Sequence, residues 1–166
     1  MNRPSLASTL RSPALLLATW GGTGLSPFAP GTVGSMAALP LCVWALHLAP
    51  WWVVGLGAAL WVLGVWSAAR AGAAWGQVDH PAIVIDEVLG QLIAVAIPWF
   101  WLQTPVNPLL LAAIAFALFR LFDITKPWPV SYFDRTWKSP AGVMFDDVLA
   151  GVLAGLVASG ALSMAL

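Results

Sequence analysis

Between Arg11 and Arg70 the chain carries no Asp, Glu, Lys or Arg. A soluble domain spreads such residues throughout, at about 25% of positions. Across all 166 residues the share is 8%, against 60% hydrophobic. A chain with so few groups for water to solvate reads as an all-α integral membrane helical bundle. Its length suits one domain, 1–166, with 1–20 as an N-terminal cytoplasmic segment. A signal peptide fits 1–20 poorly, because "ALLLATW" is short and Pro13 interrupts its start. The single cysteine, Cys42, excludes an intrachain disulfide and a thiolate metal cluster. The net charge of zero gives no sign of nucleic-acid binding.

Five apolar runs can be drawn, over 33–49, 51–69, 88–104, 108–124 and 148–166. Each is near the length that crosses about 30 Å of hydrocarbon as a helix. Pro40 predicts a kink in the first, and four spans remain if that run is re-entrant. The turns at 49–51 and 103–107 predict antiparallel neighbours. Trp51, Trp52, Trp66, Trp99, Trp101 and Trp128 lie near run ends, as interfacial anchors do. The seven cations are Arg3, Arg11, Arg70, Arg120, Lys126, Arg135 and Lys138. All fall on one side of the five-span topology, which places the N-terminus in the cytoplasm.

Polar residues gather in four islands: "GGTGLSPFAPGTVGS" (21–35), "VDHPAIVIDEVLG" (78–90), "FRLFDITKPWPVSYFDRTWK" (119–138) and "MFDDVLAG" (144–151). The same topology brings all four to the cytoplasmic face. "IDEVLGQ" (85–91) and "FDDVLAG" (145–151) echo each other, so their helices should be parallel, with acidic pairs at equal depth. Helix capping accounts for one acid per helix. It leaves the second over, because adjacent residues point about 100° apart. Asp86, Glu87, Asp146 and Asp147 at one depth would repel unless cations sit between them, and hard divalent ions suit oxygen ligands.

Arg120, Asp123 and Lys126 recur every three residues at a helix end. An ion pair and a helix stop are the plain reading; Arg with Lys also suits a phosphate. Asp123 is a candidate fifth metal ligand. The glycine-rich island is either a loop or a backbone nest for an anion. Asp79 and His80 read as a turn, and Asp134, Arg135 and Lys138 as a solvated loop open to anionic lipid. These features point to metal-assisted phosphoryl chemistry on a lipid. A divalent-cation transporter and a non-catalytic membrane protein are the other readings. A transporter would place its acids near the bilayer midplane.

Together, "GTGLSPFAPGTVGS" (22–35), "VIDEVLGQ" (84–91), "FRLFDITKPWPV" (119–130) and "GVMFDDVLAG" (142–151) resemble the bacterial phosphatidylglycerophosphatase A family, in that family's order. The resemblance implies a Mg²⁺-dependent phosphatase of the inner membrane that acts on phosphatidylglycerophosphate among membrane lipids. Asp86, Glu87, Asp146, Asp147 and Asp123 would then hold one or two ions and activate water. Arg120 and Lys126 would neutralise the phosphate, with Gly31, Thr32 and Ser35 orienting it. A homo-oligomer is compatible with the sequence.

Overall fold

The computed structural model describes residues 4, 6–102 and 106–165, leaving Arg3 and most of the 103–107 turn outside. Two short helices come first, α1 (Leu6–Leu10) and α2 (Pro13–Ala18). They are followed by α3 (Pro30–Ala45), α4 (Pro50–Trp75), α5 (Ile85–Trp101) and α6 (Pro108–Thr125). A short α7 (Val130–Thr136) leads into α8 (Pro140–Ala165). Five of these helices begin on proline, whose ring presets the helical φ and whose missing N–H would have been unpaired there anyway. Ser12 caps α2 and Asn107 caps α6 by accepting first-turn N–H groups. Pro40 and Pro98 lie inside α3 and α5, which continue through them.

Among the described residues, α4, α6 and α8 are long and apolar enough to cross a membrane. Val54 is 72% exposed on α4 and Leu109 is 70% exposed on α6, surfaces that suit hydrocarbon rather than water. The α3 helix is shorter, at 16 residues. The α5 helix carries Asp86 and Glu87 in its first turn and is enclosed by α3, α4, α6 and α8. Its Ile85, Val88, Leu92 and Val95 form the centre of the core.

Helix direction follows from who meets whom. Gly90 lies against Asp147 and Gly151, and further along Ile97 lies against Gly155, so α5 and α8 run parallel. The expected echo helices are therefore parallel neighbours. A Cβ on Gly151 would stand 2.4 Å from the Gly90 carbonyl oxygen, so only glycine allows the two backbones this close. Gly57 lies against Leu89 and Gly64 against Ile85, so α4 is antiparallel to α5.

One expectation changes, and two observations add to the others. First, α3 and α4 hardly touch: α3 packs on α5 and α6, while α4 packs on α2, α5 and α8. A short loop sets direction, and the space beside α4 is taken by α2. Second, the described part of the N-terminal segment packs onto the rest of the fold. Thr9 and Ala18 are fully buried, and the Ala18 carbonyl accepts the Val84 N–H at 2.8 Å. Third, Trp99 is partly buried and donates its indole N–H to the Leu46 carbonyl at 3.0 Å, tying α5 to the end of α3.

Both α4 and α8 have 26 residues, about 39 Å at the helical rise, more than the hydrocarbon needs. Their surplus turns, 70–75 and 140–147, fall at the same end. That end holds the acidic residues.

Candidate active site

The α8 helix begins eight residues before its apolar run, because Ser139 accepts the Gly142 N–H at 3.1 Å and Pro140 follows it. Asp146 and Asp147 are therefore in the second turn and cap nothing, contrary to the capping share expected of them. On α5 a capping share does exist: the Asp86 carboxylate accepts the Glu87 N–H at 3.1 Å.

A cavity of about 370 Å³ opens where the starts of α3, α5 and α8 meet the end of α6. Asp86, Glu87, Asp123, Asp146 and Asp147 line it, together with Arg120 and Lys126. Asp79 is also on the wall. One oxygen each from Asp86, Glu87 and Asp147 lies within 4.8 Å of the others. Glu87 Oε2 and Asp147 Oδ2 are buried and have no protein partner among the described residues. Buried carboxylate oxygens without donors are costly unless a cation satisfies them. The three residues thus fit a hard divalent ion by donor type and spacing.

Asp146 does something else. Its Oδ2 accepts a short hydrogen bond from Lys126 Nζ, and its Oδ1 is buried without a protein partner. Lys126 ends α6 in the left-handed region, at φ 42°, which turns its side chain out of the helix end. Its Nζ also lies 3.7 Å from Asp123 and 3.3 Å from Asp134. Burial works against the ammonium charge, but Asp146, Asp147 and Asp123 outweigh it and push the Lys126 pKa up. Lys126 is therefore a fixed cation across the physiological range.

Arg120 is held on several sides. Its Nη1 lies 2.8 Å from Asp123 Oδ2 and 3.8 Å from Glu87 Oε1. Ser35 accepts an Nη1 hydrogen at 3.4 Å and donates its own to the Gly31 carbonyl at 2.8 Å. Ser35 is fully buried and off the cavity wall, so it orients Arg120 from behind. Gly31 and Thr32 do line the cavity, at the first turn of α3. A Cβ on Gly31 would stand 2.2 Å from Glu87 Oε1 and 3.2 Å from the Arg120 guanidinium, so any larger residue there displaces the Glu87 carboxylate. Ala29 supplies the turn into α3 at φ 42°.

Asp134, expected in a solvated loop, lies on α7 and is half-buried beside Lys126. No local pattern links them, since the turn through Trp128 and Pro129 carries α7 onto α8, whose Asp146 also meets Lys126. Gln91, one turn past Glu87 on α5, is fully buried with both amide atoms unpaired among the described residues. His80 remains a turn residue: its Nδ1 accepts the Ala82 N–H, and burial pushes its pKa down. Cys42 is a buried core residue.

The family model described as Phosphatidylglycerophosphatase A matches residues 16–162. The chain belongs to the phosphatidylglycerophosphatase A family. A protein named Phosphatidylglycerophosphatase A from Escherichia coli (strain K12) is 37% identical over 87% of this chain and 80% of its own length. Its namesake from Haemophilus influenzae (strain ATCC 51907) is 38% identical, over 94% and 93%. A Bacteroides thetaiotaomicron protein named "Putative phosphatidylinositol-3-phosphatase" is 36% identical, over 92% and 91%. No solved structure matches. The chain is thus a membrane phosphatase, a phosphoric monoester hydrolase, and its substrate is a lipid.

Proposed function

We propose that the chain removes the terminal phosphate of phosphatidylglycerophosphate, leaving phosphatidylglycerol and inorganic phosphate, as a step of phospholipid biosynthesis. In this reading Mg²⁺ is held by Asp86, Glu87 and Asp147, and the cavity faces the cytoplasm from a bacterial inner membrane. The carrying observation is the three-carboxylate oxygen cluster, set beside Arg120 and the start of α3.

Charge supports the ion. Six carboxylates against two cations leave the cavity too negative to admit a phosphate unaided. When bound, Mg²⁺ supplies that missing positive charge and lowers the pKa of a coordinated water. The side chains do the rest. Arg120, oriented by Asp123 and Ser35, offers its fork to the equatorial phosphate oxygens. Lys126 neutralises charge on the opposite side. The first-turn amides of α3, with the Thr32 hydroxyl, favour a phosphate oxygen at the helix N-terminus. Asp146 keeps Oδ2 on Lys126 and leaves Oδ1 free to take the proton of the attacking water.

A second substrate, phosphatidylinositol 3-phosphate, is favoured by the name of the Bacteroides relative. The two lipids share one geometry: three carbons separate the phosphate monoester from the phosphodiester that joins the headgroup to diacylglycerol. Phosphate release from each lipid, by purified protein in neutral detergent, tests the proposal. Phosphatidylglycerophosphate should turn over faster, activity should vanish in excess chelator, and Mg²⁺ should restore it. Turnover untouched by chelator would remove the metal from the reading. Mg²⁺ flux into liposomes without phosphate release would replace the enzyme with a transporter.

A further inference from the structure

The cavity walled by the carboxylates has edges of two kinds. On the side of the loop before α5, its exposed lining residues are Asp79 and Pro81. Where the start of α3 meets the end of α6, they are Ala29 and Ile124, both apolar. Ile124 is 68% exposed although it lines the cavity. Toward α5 and α8 the apolar wall is closed, with Ile83 and Val143 buried.

Ile124 also ends a stripe. Leu110, Ala113, Ala117, Leu121 and Ile124 recur every three or four residues, so they share one face of α6, and all five are exposed. The α6 helix is long and apolar enough to cross a membrane, so this face suits hydrocarbon along its length. On α3, Met36 is 56% exposed, one turn beyond the cavity-lining Thr32. The start of α3 lies beside the end of α6, because the Ser35 hydroxyl accepts a hydrogen from Arg120. An apolar path thus leads along the two helices to the lip of the cavity. The larger apolar cavity between α4 and α5, of about 610 Å³, shares no lining residue with the phosphate cavity and does not continue it.

We infer that the lipid substrate enters sideways between α3 and α6, with its diacylglycerol part against the α6 stripe and Met36 and its headgroup over the lip at Ile124. This rests on the lipid phosphomonoester reading above. Arg120 is one turn before Ile124, so a headgroup passing the lip meets the guanidinium while the acyl chains stay in hydrocarbon. Ile124 is then a specificity residue. It favours long-chain lipids over water-soluble phosphomonoesters with the same headgroup, and takes no part in the chemical step.

The test compares phosphate release from dioleoyl phosphatidylglycerophosphate in neutral-detergent micelles with release from the dibutyryl lipid, which stays in water in the same detergent. The readout is the ratio of kcat/KM for the long-chain lipid to kcat/KM for the short-chain one. Ile124→Ser should lower that ratio about fivefold, what partial burial of one apolar side chain is worth. Leu121→Ser should lower it about threefold on the same grounds. Ile124→Leu should restore it. Val54→Ser removes a similarly exposed apolar residue of α4, outside the phosphate cavity, and should keep the wild-type ratio. A ratio unchanged in both Ile124→Ser and Leu121→Ser overturns the entry path. So does an equal loss on both lipids, which would mean that Ile124 only shapes the phosphate cavity. An equal fall of the ratio in Val54→Ser, which would mean general contact with the micelle, overturns it as well. A wild type that releases no phosphate from either lipid overturns the underlying phosphatase reading instead.

Discussion

On α5 the acidic pair Asp86 and Glu87 occupies the first helical turn, whereas on α8 the pair Asp146 and Asp147 occupies the second. Both members of the α5 pair enter the oxygen cluster, and Asp86 also closes the helix start. The α8 pair divides, Asp147 joining the cluster and Asp146 turning to Lys126. Adjacent residues on a helix point about 100° apart, so the division follows from helix rotation once α8 has begun at Pro140. The lesson is that two near-identical strings make one asymmetric site, with a metal-holding pole and a lysine-holding pole.

The largest break in that comparison should come from Asp147→Asn. Loss of a cluster ligand should cost about 10³-fold in kcat/KM and raise the Mg²⁺ needed for half-activity. Asp146→Asn should cost about 100-fold, the low end for loss of a general base, with little change in the Mg²⁺ midpoint. Equal losses in a metal titration would show that the two poles are one. Gly151→Ala should push α8 off α5 and destabilise the protein by about 1–3 kcal/mol, read by thermal unfolding in detergent. Gly31→Ala should cost about tenfold in kcat/KM, because its Cβ displaces Glu87 and crowds Arg120. Ser35→Ala, which frees Arg120 on one side only, should raise KM about threefold, a loss within the net worth of one hydrogen bond.

Much of this was legible in the chain. All five apolar runs lie largely on helices where they are described, three of these long and apolar enough to cross a membrane, and the acidic strings lie near the starts of parallel neighbours. The gaps have physical reasons. Apolarity reports where lipid lies, not where a helix starts, so the α8 boundary was drawn at 148; Ser139 and Pro140 carried the signal. Ser35 resembles a phosphate ligand in sequence, but the rotation of α3 turns it inward behind Arg120. Asp134 meets Lys126 only after α7 packs onto α8, which no local spacing encodes. Trp99 finds its carbonyl partner 53 residues earlier, a contact that no local pattern encodes.

The crossing of Gly90 and Gly151 has one more consequence. Each glycine lies one helical turn beyond a cluster carboxylate, Gly90 beyond Asp86 and Gly151 beyond Asp147. The crossing acts as a fulcrum for two rigid arms, and the ends of the arms are the ligands. The width of the gap between them is therefore a main-chain dimension that rotamers can trim but not reset. A methyl group added at the pivot should be felt first at the ligands, although it touches none of them.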